Sequence, residues 1–360
     1  MIKFKMIFIV FLLSGVLLAG CSSGSNAVEE SKPVSGDAQQ AEGNKEEAEE
    51  KTEVQYYYTA NEKGSISKID AADNSIVTTI EVEGSAHNVQ ASPDGKLIGA
   101  TVVPGMGGHD GHGEVSAKAV FYSVESDELV QEVEVGNHPA HIVFTEDGKY
   151  AVVTNSEDNT ASVINMDSFN VTDTVETGKG PHGFRISSDS KRAYIANMGE
   201  DTVSVINLET MKEEKRIKVG IAPVTTGVTS DGKILVAALN GENALAVVDL
   251  DTDKVDKIPV GTGPAQVYID ETGQFAYVAN QGTEEAPSSS VTVIDLALKK
   301  AIVEIETGKG SHGVVTSPDN KRVYVTNMFE DTVSIIDKEQ NKVIDTIEVK
   351  GVPNGISITD

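Results

Sequence analysis

From Tyr56 onward the chain alternates apolar and polar residues in short runs, of which Thr202-Val203-Ser204-Val205-Ile206-Asn207 is typical, each bounded by Gly, Asn or Asp. A period of two places successive side chains on opposite faces of an extended backbone. Enrichment in Val, Ile and Thr fits each run to a strand. Between runs stand turns such as Ser92-Pro93-Asp94-Gly95 and Ser317-Pro318-Asp319-Asn320. Pro supplies φ near −65° and the closing Gly or Asn accepts positive φ, so these segments predict tight hairpins.

The pattern repeats. Tyr194-Ile195-Ala196-Asn197 leads to Thr202–Asn207, Tyr277-Val278-Ala279-Asn280 to Ser290–Asp295, and Tyr324-Val325-Thr326-Asn327 to Thr332–Asp337. Four strands in a unit of roughly forty residues describe one antiparallel propeller blade. Entries to the innermost strands fall at Ala86-His87, Pro139-Ala140, Pro181-His182, Pro223-Val224, Pro264-Ala265, Ser311-His312 and Pro353-Asn354, which counts seven blades. The last entry is followed by one strand, whereas the domain opens at Tyr56–Asn61, a second-strand sequence with no first strand before it. The C-terminal strand is therefore expected to complete the N-terminal blade, which removes two open sheet edges. The predicted fold is an all-β, seven-bladed propeller with four antiparallel strands per blade over residues 55–360.

These repeats resemble the YVTN repeat of bacterial and archaeal β-propellers, and the resemblance runs from Tyr56 to Asp360. The start of the chain is of another kind. Lys3 and Lys5 precede an apolar run from Met6 to Leu13 that resumes at Val16-Leu17-Leu18. This is the pattern of a secretory signal, short for a membrane span. It ends on Leu18-Ala19-Gly20-Cys21, which resembles the lipobox of bacterial lipoproteins. That resemblance implies cleavage before Cys21, lipid on Cys21, and a protein held at the outer face of the cytoplasmic membrane. Residues 1–20 are then the signal peptide, and 21–54 an acidic tether of Ser, Gly, Gln, Ala and Glu too poor in apolar side chains to order itself.

Composition narrows the function classes. A net charge of −27 argues against nucleic acid or anionic lipid headgroups as partners. Cys21 is the only cysteine, so disulfides, thiolate metal sites and Cys-x-x-Cys-His haem attachment are excluded, and no nucleotide cofactor is expected. The propeller parts of nitrous oxide reductase and of cytochrome d1 nitrite reductase resemble this repeat, but the cupredoxin domain or haem-attachment cysteines of those enzymes have no counterpart here. Quinone-cofactor propellers stack aromatic residues, and this chain has no Trp. No catalytic constellation is recognised, and the chain is read as a monomeric binding protein rather than an enzyme.

Strand order makes the histidines informative. Entries to innermost strands and loops from second to third strands share one face, where all seven histidines are expected. His87, His182 and His312 take one register in blades 1, 3 and 6, while His138 and His141 bracket the entry of blade 2. His109 and His112 lie with Asp110 in Gly105-Met106-Gly107-Gly108-His109-Asp110-Gly111-His112-Gly113-Glu114, an insertion in blade 1. Neutral imidazoles suit zinc or copper, so the candidate metal ligands are His109, His112, His87, His182, His312, His141 and Asp110. Met106, Met198 and Met328 are candidate soft ligands. Pro-His-Gly is habitual in YVTN repeats, so His182 also reads as a turn residue, His138 as loop, and Met198 and Met328 as apolar caps. The Gly/His/Asp loop further resembles propeller-type zinc metallochaperones of bacterial zinc importers. That resemblance implies metal delivery to a transporter or another envelope protein, carried by His109, Asp110 and His112, with His87 nearby. The competing readings are a metal-independent envelope interaction scaffold, in which the histidines are incidental, and a propeller hydrolase.

Overall fold

A computed structural model describes residues 54–103 and 117–359, and within them 28 strands form seven four-stranded antiparallel sheets. Six sheets are built from consecutive strands. Their innermost strands are Ser85–Ala91 in blade 1, Pro139–Phe144 in blade 2, Pro181–Ile186 in blade 3, Pro223–Val228 in blade 4, Pro264–Ile269 in blade 5 and Ser311–Thr316 in blade 6. In blade 7 the innermost strand is Pro353–Ile358, which pairs with Tyr56–Asn61 from the other end of the chain, Tyr57 opposite Ile358 and Asn61 opposite Pro353. The expected closure is therefore present.

The core lies between blades. Ala119, Phe121 and Val133 of blade 1 pack on Ile142, Phe144, Ala151, Val153 and Ile164 of blade 2, and Val203, Val205 and Ile217 of blade 3 pack on Leu235, Ala237 and Val248 of blade 4. Outermost strands are largely exposed, as in Lys212–Lys218, whose only fully buried residue is Ile217. Burial thus falls from the channel outward, and chemistry placed on the innermost strands sits in the most rigid part of the ring.

The repeated motif has a physical task in this packing. In blades 2, 3 and 6 the Asn closing the second strand donates through Nδ2 to two hydroxyls of the third strand: Asn155 to Thr160 and Ser162, Asn197 to Thr202 and Ser204, Asn327 to Thr332 and Ser334. A Thr of the second strand reaches the neighbouring blade. Thr101 donates to the Ala140 carbonyl, Thr154 to that of His182 and Thr326 to that of Asn354, each at 2.8 Å. These bonds fix the second strand of one blade against the innermost strand of the next.

Each innermost strand also carries one extra residue near its start. Pro139 pairs with Asn155 but Ile142 with Val153; Pro181 pairs with Asn197 but Phe184 with Ile195; Ala86 pairs with Val102 but Asn88 with Thr101. A β-bulge re-aims the side chains it carries. Every candidate channel histidine lies in such a bulge.

Candidate functional site at the channel mouth

Alignment of these pairings puts His87, Ala140, His182, Val224, Ala265, His312 and Asn354 at one level around the ring, in blades 1 to 7. The expected common register of His87, His182 and His312 holds. His141 lies one residue further along its bulge, at the level of Asn88, Gly183 and Gly313. Its backbone N–H donates to Thr154 Oγ1 just as Asn88 donates to Thr101 and Gly313 to Thr326. A Cβ at Gly183 would run into the Thr225 side chain of the next blade, which accounts for the Gly of Pro-His-Gly as a close approach between blades.

The result is a cluster of three imidazoles from three adjacent blades. His87, His141 and His182 offer ligand atoms that all lie within 4.8 Å of one another. Their ring centroids are 5.0 Å (His141 to His182), 5.4 Å (His87 to His182) and 6.0 Å (His87 to His141) apart. His87 Nε2 and His182 Nε2 face each other at 3.4 Å. The outward nitrogens are anchored: His182 Nδ1 lies 3.3 Å from the Val224 carbonyl, and His87 Nδ1 lies 3.3 Å from Glu62 Oε1. His141 is 1% exposed, and neither of its ring nitrogens has a hydrogen-bond partner among the described residues.

Burial keeps His141, His182 and His312 neutral. Burial, with the neighbouring His87 and His312, pushes His182 down to about 3. Burial and His87 lower His312 to about 4, against the opposing pull of Glu62 and a backbone hydrogen bond to Asn354. His141 is driven well below the usual imidazole range by burial, by His182 and His87, and by Arg185. Neutral imidazoles retain the lone pair that a cation requires. Burial raises the Glu62 carboxyl, yet hydrogen bonds from His87 and Asn354 prevail and hold it below the usual carboxylate range.

The remaining candidates divide. His312 is buried at the same level, with Nδ1 3.4 Å from Gln266 Nε2, but stands outside the three-ring cluster. His138 occupies the left-handed turn position (φ 51°) before Pro139 that Gly180 and Gly263 hold elsewhere, and its exposed ring lies 3.7 Å from Glu157. Met198 is 44% exposed. The Met328 sulfur accepts a hydrogen bond from Gln281 Nε2 at 3.2 Å. Cys21, Met106, His109, Asp110 and His112 lie outside the described residues. The flanks of their insertion are placed: Val103 pairs with Ser85 and Lys118 with Val102, at the entry to the strand that carries His87.

Glu62, Asn354, Gln266 and Arg185 carry no motif that would single them out in the sequence. Arg185, half-buried toward the far end of the channel, donates to its neighbour's carbonyl at Phe184 and lies over the Tyr268 ring at 5.5 Å. It borders a cavity of about 230 Å³ with Gln90, Glu146, Glu271 and Ser357.

Comparison with known proteins agrees with the architecture. A family model described as the YNCE-like β-propeller matches residues 144–300. No curated protein matches the chain. Similar solved structures include a functionally unknown protein from Desulfotomaculum acetoxidans, 13% identical with a TM-score of 0.72 over 84% of this chain and 98% of that one. The periplasmic gluconolactonase of Pseudomonas aeruginosa is 16% identical with a TM-score of 0.68, over 85% and 99% of the two chains. Hydrazine synthase of Kuenenia stuttgartiensis is 20% identical with a TM-score of 0.66, over 76% and 89%. At these identities the likeness is one of fold, and a propeller fold hosts unrelated functions.

Proposed function

We propose that this propeller is a transition-metal-binding protein whose site is formed by His87, His141 and His182, working outside the cytoplasm on a lipid anchor at Cys21 in metal delivery or sensing. The observation that carries the reading is the buried, partnerless His141 imidazole beside two facing Nε2 atoms. An orphaned buried polar group costs about 1–3 kcal/mol, and a bound cation would remove that cost. The 3.4 Å separation of the two Nε2 atoms is also what a metal would need. Two nitrogens each about 2.0–2.1 Å from a tetrahedral zinc stand roughly 3.3–3.4 Å apart. Three imidazole nitrogens among the described residues favour zinc or Cu(II) over Cu(I).

Chelator-stripped protein is expected to take up one equivalent of zinc by calorimetry. His141→Ala and the pair His87→Ala with His182→Ala should abolish it, and the pair His109→Ala with His112→Ala should leave the channel equivalent in place. Absence of uptake by the unmutated protein would sink the reading and leave the metal-independent envelope scaffold. Uptake lost only with His109 and His112 would move the site into the insertion.

A second reading rests on the same three nitrogens, because a tetrahedral ion held by three imidazoles keeps one position for a ligand from solution. One structural neighbour is named a gluconolactonase. If this chain is a hydrolase, the zinc-loaded protein opens aldonolactones faster than the stripped protein, and His141→Ala removes the difference.

A further inference from the structure

Among the described residues His87 is the one member of the cluster held by a carboxylate, and the carboxylate comes from a distant part of the chain. Glu62 follows the N-terminal strand of blade 7. Its Oε1 lies 3.3 Å from His87 Nδ1 and accepts from Asn354 Nδ2 at 2.6 Å. Asn354 stands on the C-terminal strand that closes the ring, and its Nδ2 is also 3.2 Å from His87 Nδ1. Three segments, the two ends of the domain and the innermost strand of blade 1, therefore meet at one imidazole nitrogen. The same ends are bound by the backbone, Glu62 N donating to Val352 O at 3.0 Å and Lys63 N to Gly351 O at 3.2 Å.

The facing Nε2 atoms impose a proton constraint. Two bare lone pairs at 3.4 Å repel, which without metal favours a proton on one Nε2. The Val224 carbonyl at His182 Nδ1 keeps the His182 proton on Nδ1, so that proton has to come from His87, where Glu62 at Nδ1 draws it the other way and the two nitrogens compete for it. For His87 to ligate through Nε2, that proton must leave, and an imidazole with a bare Nε2 carries its proton on Nδ1, facing Glu62. A carboxylate there stabilises that tautomer and raises the basicity of the ligating nitrogen.

Building on the metal-binding reading above, we propose that Glu62, held by Asn354 of the closing strand, is the positioning residue of the site. It selects the His87 tautomer that can ligate, and it couples metal affinity to closure of the propeller ring. Binding and closure are then linked in both directions, since an ion that favours the ordered Glu62–Asn354–His87 contact stabilises the paired ends to the same extent that pairing favours the ion.

The test uses the full chain with zinc as the probe. Glu62→Gln keeps the shape and an acceptor oxygen but removes the charge, and Glu62→Ala removes both. Zinc affinity is expected to fall about 10-fold in the first and toward 100-fold in the second, the range seen for lost partners of ligating histidines. Two further readouts separate positioning from general damage. Nitrogen NMR of the imidazoles should show the His87 proton moving to Nδ1 when zinc is added, with incomplete transfer in Glu62→Ala. Amide exchange should slow on zinc addition in 353–358 and 56–61 of the unmutated protein, and less so in Asn354→Ala. Glu62 is one-third exposed, so its variants are expected to fold, and a metal-free melt within a few degrees of the parent confirms it. Equal zinc affinity in the parent and both Glu62 variants overturns the positioning role while leaving the metal site standing. Zinc uptake absent from the parent overturns both.

Discussion

At the scale of single residues, Thr154 shows how the repeat motif serves the site. Its hydroxyl accepts from the His141 N–H at 3.0 Å and donates to the His182 carbonyl at 2.8 Å, with the residue fully buried. One side chain therefore sets the separation of two rings in adjacent blades. Thr154→Val preserves volume but strands a buried N–H and a buried C=O, each costing about 1–3 kcal/mol. The denaturation midpoint should drop accordingly, and zinc affinity should fall more than in Thr326→Val, which reaches the site only through the Asn354 strand. Equal effects of the two variants on zinc would deny Thr154 its part in the site. A motif threonine was legible in the sequence as a strand residue. Its two partners were not, because they belong to bulges and to a neighbouring blade.

At the scale of the strand, the bulge at the start of each innermost strand decides which histidines meet. The sequence aligned His87, His182 and His312, yet the cluster takes His141 in place of His312. His312 stands in blade 6, between blades 5 and 7, whereas His141, one residue further along its bulge than Ala140, lies beside the rings of blades 1 and 3. A pattern of alternation cannot display a bulge, because the irregularity lies in the pairing and not in the residue types. Gathering neutral rings on these strands has a consequence for stability. An unfolded histidine titrates near 6.5, whereas His182 and His312 titrate at about 3 and about 4 in the fold, with His141 also lowered. The folded state binds fewer protons, so this stability is complete above about pH 6.5 and drains as pH falls toward 4 and below. The loss is at most about 1.4 kcal/mol per pH unit for each ring. Facing these rings are His87, Glu62 and Arg185, and Arg185 stays charged throughout. Metal-free protein should therefore melt progressively lower between pH 6.5 and pH 4, and His141→Asn should flatten the slope. An unchanged slope in that variant would mean that carboxylates alone set the acid limit.

At the scale of the whole molecule, the ring stands or falls by one strand. Removing 353–360 deletes the innermost strand of blade 7, bares the N-terminal strand from Tyr57 to Asn61, and takes away Asn354. One open edge results, a template for pairing with another chain. The truncated protein is expected to melt lower and to elute at larger size than the parent, and supplying 353–360 as a peptide should partly reverse both. A truncated chain with the parent's elution and melt would show that closure contributes little. The residues at the two ends announced this pairing by being cut in complementary places, so the fold could be followed almost wholly from the chain.

What the sequence determined by itself is the fold: strand period, turn chemistry, repeat count and ring closure are local or periodic properties, and each is written in neighbouring residues. What only the tertiary structure decided is the composition of the site. The repeat register put His87, His141 and His182 on one face among other candidates, and dozens of residues separate them, so which rings meet was not written in the chain. Glu62 and Asn354, nearly the whole domain apart, become neighbours only when the two ends pair. Side chains on different blades approach one another through ring geometry and the placement of bulges. These are properties of how strands pack and pair, and no window of adjacent residues contains them.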